Sequence, residues 1–306
     1  MNKMNKNVSI LTGIAIRNGM WNSDFNGQAK SNPYGDFYAS DKSLKHAIRR
    51  DMHNYLNKIV FAIKTSKLEK NQMVTRTIDE RYESLFGKFN DKTPIKDIIT
   101  NLFKCEDVRQ FGLTFPVKGL NLGVHGVVQF SDGINLDKET IEDSQTILSP
   151  FKNSNEKSKD KKQATNGTKT ALDEAHFLYN GTISPVNSKD LDELFPNSNI
   201  AYTNEDFEVL KQSLKSCVTK LNSCSKMGAE NEFNIFIICK EGYNLNETIL
   251  NDKVSFSRSN NYDFKNLINY LNSEKDIIEK VEFYVNKDRV SYDFSALEVP
   301  ISYFYL

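Results

Sequence analysis

Apolar positions in this chain follow two different periods, and the changes between them predict an α+β fold. Near the start, ILTGIAI is apolar over the length of a strand and ends at Arg17. From Asp41, the run KSLKHAIRRDMHNYLNKIV sets Leu44, Ile48, Met52, Tyr55 and Ile59 at three- and four-residue spacing, which predicts a helix with one buried face. The polar stretch between them, residues 17–40, is punctuated by Gly19, Gly27, Pro33 and Gly35, residues that fix turns or let backbone approach a ligand. Residues 64–106 are mixed and mostly polar, with helical patches near 78–86 and 95–103, and read as a helical insertion. VRQFGLTFPV at 108–117 and GVVQFSDGINL at 126–136 read as strands, with Gly119, Gly123 and Gly126 as a turn between them.

From 142 to 175 the composition shifts. FKNSNEKSKDKKQATNGTK has too few large apolar residues to order itself, and strand character returns at His176 in HFLYNGTISPV. Two strand-forming segments flanking a basic tip fit a protruding hairpin arm, and fit an unstructured surface insertion equally. Thr203 and Asp206 have capping-box spacing, ahead of a face made by Phe207, Leu210, Leu214, Cys217, Val218 and Leu221. The apolar FNIFIICK, a helix near 264–271, VEFYVN and VPISYFYL follow. Reduced to its core, the order is β-α-β-β-α-β, the ferredoxin-like arrangement of RNA-recognition domains. The chain departs from a standard RNA-recognition motif in lacking the aromatic signature strand and in the size of its insertions.

Lys+Arg and Asp+Glu both number 40, so any basic surface must be local and offset elsewhere. No apolar run approaches the roughly 20 residues of a membrane span, and MNKMNKN leads into a strand-like segment; a cytoplasmic protein with no membrane partner is expected. Cys105, Cys217, Cys224 and Cys239 lack C-x-x-C spacing, which suits free thiols.

At about 100° per residue, Lys42, Lys45 and Arg49 share an arc of the first helix, whose N-terminus faces the polar loop and so favours phosphate. An ordinary solvated helix face is the plain alternative. His46 and His53 lie seven apart with no acidic or cysteine partner at zinc spacing, and His125 and His176 read as isolated histidines at strand edges. No nucleophile elbow, Walker loop or H-E-x-x-H occurs. Asp24 and Asp36 are the acids that could be catalytic, with turn formation as the competing explanation. Neither a catalytic residue nor a metal or cofactor is expected.

SNPYGD, DKSLKHAIRR, VRQFG, GVVQFSDGINL, the arm, HFLYNGTISP, TNEDFEVLKQSL and SKMG occur in that order over about residues 10–240. Together they resemble the backbone subunit of type I CRISPR Cascade complexes, the seventh Cas family, nearest its I-B and I-C branches. The resemblance implies a hand-like protein: an RNA-recognition-type palm (1–63, with strands from 108–131), a helical finger (64–107), a hairpin thumb (132–175), and the rest of the palm with a C-terminal extension (176–306). It implies copies polymerised head to tail along a guide RNA (crRNA) that pairs with target DNA. Other Cascade subunits and the processing endonuclease would be further partners. The implied RNA-binding set is Arg17, Asn32 and Gly35, with Asp36 shaping the channel, then Lys42, Lys45, Arg49, Arg109, Ser225, Lys226 and Gly228. Tyr34 departs from the family, where a small polar residue is common, and the thumb tip is unusually rich in lysine. Related type III subunits cut RNA with an acidic loop residue, whereas the I-B-like pattern implies a non-cleaving member. A metal-dependent ribonuclease using Asp24 or Asp36 is the rival reading, and a scaffold without nucleic acid the third.

Overall fold

The apolar run of Ala229–Cys239 is continuous because both faces of its strand are covered. In the computed structural model, which describes residues 2–117, 120–148 and 166–306, this strand lies inside a nine-stranded sheet. The chain opens with β1 (Val8–Gly19), β2 (Tyr38–Ala39) and α1 (Asp41–Asn54). An insertion follows: β3 (Ser66–Glu69), β4 (Gln72–Thr75), α2 (Ile78–Phe86), α3 (Ile95–Leu102), α4 (Glu106–Phe111), β5 (Gly112–Val117) and β6 (Leu120–His125). Then come β7 (Val128–Phe130), β8 (Gly133–Asn135), β9 (Glu142–Leu148), β10 (Asn166–Ile183), α5 (Lys189–Leu194), α6 (Asn204–Leu214) and β11 (Ala229–Cys239). The C-terminal part holds β12 (Ser255–Ser257), β13 (Asn261–Asp263), α7 (Lys265–Ser273), β14 (Ile278–Val285) and β15 (Ile301–Tyr305).

The sheet runs β15-β14-β11-β1-β10-β8-β2, with β7 and β9 also paired to β10. Its centre therefore reads β11-β1-β10-β7/β8, with α1 connecting outward from β1 and α6 leading from β10 to β11. On one face Ile10, Ile14 and Ile16 of β1 and Phe236 and Ile238 of β11 pack with Leu44, Ile48 and Met52 of α1 and Leu210 and Leu214 of α6. On the other, Leu11, Phe233, Ile235 and Ile237 pack with Val281 and Phe283 of β14 and Leu267 and Leu271 of α7. The register shift at Gly13/Ile14 and the missing side chain at Gly13 make room for the Phe233 ring, 2.3 Å from where a Cβ would sit. A third core joins Phe61, Tyr82, Ile98, Ile99 and Leu102 to Phe115, Leu122 and Val124 of the β5–β6 hairpin.

Several elements differ from the sequence reading. The first helix stops at Asn54, Asn57 takes a left-handed φ of 52°, and Tyr55 and Ile59 are exposed rather than on a buried face. The VRQFG segment is the helix α4 and not a strand: Glu106 and Asp107 sit in its first turn, and Gly112, φ 71°, ends it. The glycine-rich stretch read as a turn contains β6, which pairs β5 in its own two-stranded sheet. Gly112 and Gly126 make that hairpin possible, since a Cβ at either would meet backbone at 2.2 or 2.3 Å. The insertion is not purely helical, because β3 and β4 turn back through Lys70 and Asn71, both at positive φ. His176 is not at a strand edge: β10 is central, and the ring is buried with Nδ1 2.8 Å from Glu232. The Thr203–Asp206 capping box forms.

The arm is a ladder of β9 against β10, running from Glu142↔Leu172 to Leu148↔Asn166. β1 pairs β10 only as far as Gly19↔Leu172, so beyond Leu172 the two arm strands have each other alone. The lysine-rich tip falls largely on 149–165, outside the described residues.

Candidate nucleic-acid interface

The end of β1, the loop to α1 and the turn before β11 form one unit. Met20 N–H donates to the Ser225 carbonyl at 2.6 Å, and Arg17 N–H donates to the Gly228 carbonyl at 3.1 Å. Gly228 holds φ 92°, and a Cβ there would lie 2.2 Å from the Arg17 carbonyl oxygen, so only glycine lets the turn close on the strand. Trp21 is fully buried, donating from Nε1 to Tyr179 Oη at 2.8 Å. Lys226 reaches back over this indole, its Nζ 5.0 Å from the ring centroid and donating to the Trp21 carbonyl. Asn22 Oδ1 accepts from the backbone N–H of Ser40 at 2.8 Å and its hydroxyl at 2.9 Å, fixing the start of α1.

Within the loop, Asp24 and Asn32 each close a turn. Asp24 Oδ1 accepts from the N–H groups of Asn26 and Gln28, at 2.8 and 2.9 Å; Asn32 Oδ1 accepts from those of Tyr34 and Asp36, at 2.9 and 3.0 Å. Gly27 and Gly35 supply φ values of 85° and 87° at equivalent positions. Asp36 accepts from Lys138 at 2.8 Å, and that hydrogen bond, with one from Asn32, holds its carboxyl below the usual range. Among the described residues, no group of three His, Cys, Asp or Glu side chains could hold a metal ion.

The structure treats the anticipated cations very differently. Arg17 is enclosed by Glu174, Glu230 and Glu232. Lys45 is buried, 3.0 Å from Asp41 and 5.7 Å from the Phe111 ring; Arg49 lies 3.1 Å from Asp107 and 5.1 Å from the same ring. Arg109 is saturated: it grips Asp206 through two nitrogens, at 2.7 and 2.6 Å, and also donates to the carbonyls of Asn199 and Ala201. Lys42 is exposed, with Asp41 at 3.7 Å.

Ser225, Lys226 and Gly228 do come together with Arg17 at the end of β1, and Lys42, Lys45 and Arg49 do share α1. The Asn32–Gly35 turn lies farther along the loop, and Arg109 belongs to the α4–α6 contact.

Sequence spacing missed Arg50 and His46. Among the described residues no carboxylate lies within ion-pair distance of Arg50 or Lys226. Partial burial, then Arg50, Lys226 and Arg49, push the His46 pKa down, and burial does the same to Lys226. Adjacent arginines at the edge of a helical arc carry no periodic signal, and the turn that completes the cluster arrives from 176 residues farther along the chain, counting from Arg50 to Lys226.

These features define an α+β protein in which the end of β1, the start of α1 and the turn before β11 are joined. The family is shown directly: the model for "CRISPR-associated protein Cas7" matches residues 6–278, and the chain belongs to that family. Its fold is similar to that of a solved chain described as "CRISPR RNA-guided surveillance complex, pre-nicking", with a TM-score of 0.60 at 13% identity, covering 98% of this chain and 96% of that one. A second, described as "CRISPR RNA-guided surveillance complex", has a TM-score of 0.53 at 13% identity, covering 96% and 94%. No curated protein matches the chain.

Proposed function

We propose that this chain is a guide-RNA-binding backbone subunit of an RNA-guided antiviral surveillance complex. The observation that carries the reading is the approach of two cations, Arg50 and Lys226, to the neutral ring of His46, with Lys226 held by a locked turn, in a member of the Cas7 family. Phosphates of the guide would meet these groups together with Lys42, while the Asn32–Gly35 and Ser225–Gly228 backbones shape the channel; Lys45 and Arg49 face Asp41 and Asp107 instead. Arg17 and Arg109 would act by positioning, since their donors face protein carboxylates.

In this reading the central strands with α1 and α6 are a palm of the RNA-recognition type, supported by the order β11-β1-β10-β7/β8. The insertion is the finger, and it extends to residue 125 because Phe115, Leu122 and Val124 complete its core. The β9–β10 ladder is the thumb. Copies would line up head to tail along the guide, which pairs with target DNA, alongside other subunits and the processing endonuclease in a cytoplasmic complex of the I-B type. A non-cleaving role is supported by Asp24 and Asp36, whose carboxylates serve as turn acceptors.

The test is to express the full chain with a repeat-containing transcript and sequence any RNase-sensitive material that co-purifies. Discrete repeat-derived RNAs are expected; nucleic-acid-free protein under those conditions would overturn the proposal.

A further inference from the structure

The loop between β1 and α1 contains the same turn twice. In Asp24-Phe25-Asn26-Gly27-Gln28 and in Asn32-Pro33-Tyr34-Gly35-Asp36, an Asx side chain accepts from the backbone N–H groups two and four residues on. The Asx N–H donates to the carbonyl of the fifth residue, at 2.7 Å in the first and 3.0 Å in the second, and a glycine with φ near 86° sits fourth. Each turn carries one aromatic side chain, and each is bare: Phe25 is 105% exposed and Tyr34 91%. An aromatic ring left in water contributes nothing to folding, although its burial would stabilise the chain. The turns have no need of it either, since the Asx and Gly positions make their hydrogen bonds and their φ. Two rings held by hydrogen-bonded turns, and packed against nothing among the described residues, point outward to a ligand.

We propose that Phe25 and Tyr34 are stacking platforms for the bases of a single-stranded nucleic acid. The ligand's chemistry follows from the neighbours. The loop carrying the rings ends at α1, whose Lys42 is exposed and whose His46 has the cations Arg50 and Lys226 near it, so a partner offering both anions and flat apolar faces fits this surface. Single-stranded RNA or DNA does so: phosphates meet the cations and bases stack on the rings, largely without regard to sequence. The inference rests on the proposed guide-binding reading and deepens it, assigning base contacts to two residues that charge and spacing did not single out.

Stacking and phosphate contact respond differently to salt, which makes the idea testable. The full chain is titrated with single-stranded RNA carrying the fluorescent base aminopurine, over a range of salt, for wild type, Phe25→Ala, Tyr34→Ala and the double variant. Wild type should quench the probe. Each alanine variant should lose quenching and bind roughly 5- to 100-fold more weakly with an unchanged salt slope, while Tyr34→Phe should retain binding and Tyr34→Leu should not. Placing the probe in the guide or in the complementary DNA strand identifies whose bases the rings meet. A double variant with wild-type affinity and quenching would overturn the inference and leave guide binding intact. So would one that binds and quenches normally but no longer assembles, since the rings would then cover a protein contact. Wild-type protein that binds no RNA would overturn both readings.

Discussion

Glu106 lies buried beside Asp206, its Oε1 accepting from Gln110 at 2.8 Å, and burial followed by the Asp206 charge pushes its pKa up to about 7. A carboxyl raised above its ordinary value of 4.5 stabilises the fold fully below that value and loses the contribution as pH rises through about 7. Glu106→Gln should therefore be more stable than wild type by about 1–3 kcal/mol at about pH 8, with the gap closing towards about pH 5. Denaturant melts at the two pH values check this, and a gap independent of pH would refute it. Arg109 is the opposite case, a cation whose removal strands the buried carboxylate of Asp206. Arg109→Ala should destabilise by about 3–5 kcal/mol, and Arg109→Lys should recover little, because lysine cannot reproduce the two-nitrogen grip. Lys226→Ala should instead leave the melt nearly unchanged while lowering the salt slope of RNA binding by about one. The contrast between two cations read alike from sequence lies in their partners: Arg109 has four acceptors within the protein, Lys226 one carbonyl.

At the scale of elements, the turn before β11 and the arm carry the clearest expectations. Gly228→Ala forces a Cβ against the Arg17 carbonyl at a φ that L-residues rarely adopt, so it should weaken RNA binding by displacing Lys226, at a stability cost of about 1–3 kcal/mol. Affinity and thermal unfolding measured on one preparation test both effects. The arm strand β9 is exposed along nearly its whole length, so replacing residues 143–171 with a short turn should preserve the melting temperature and impair assembly. Global unfolding of that variant would mean the arm supports the core. Much of this was legible in the sequence: β1, α1, α6 with its capping box and β11 announce themselves through period and turn residues, whereas the arm's ladder was one of two readings left even, and β9 and the start of β10 fall in the stretch read as too poor in apolar residues to order itself. α4 did not, because VRQFG has the apolar spacing of a short strand and its helix depends on the N–H of Glu106 bonding to the Ile59 carbonyl far back in the chain. β6 was hidden by the glycines around it; Gly126, just past its end, serves the close approach to Phe111 and not a turn. The loop reads as a candidate site from its sequence, but the burial of Lys45 beneath Phe111 and the approach of Lys226 to His46 are tertiary facts that spacing cannot encode.

At the scale of the molecule, the three cores divide the labour. A sheet covered on both faces holds the end of β1, the insertion has its own core, and among the described residues β9 pairs only with β10, continuing the sheet outward past Leu172. On the proposed reading, equal numbers of acidic and basic residues would let many copies gather on one strand without large mutual repulsion, while Arg50 and Lys226 would engage its phosphates. Full-length protein incubated with complementary RNA and Mg²⁺ should leave that RNA intact; regular cuts abolished by Asp36→Asn would move the chain to the ribonuclease reading. The central claim, a subunit that polymerises along a guide, is tested most directly by native mass measurement of the protein on guide RNAs of increasing length. The number of bound copies should rise in steps at a fixed nucleotide interval. A stoichiometry that stays at one copy, whatever the guide length, would contradict it.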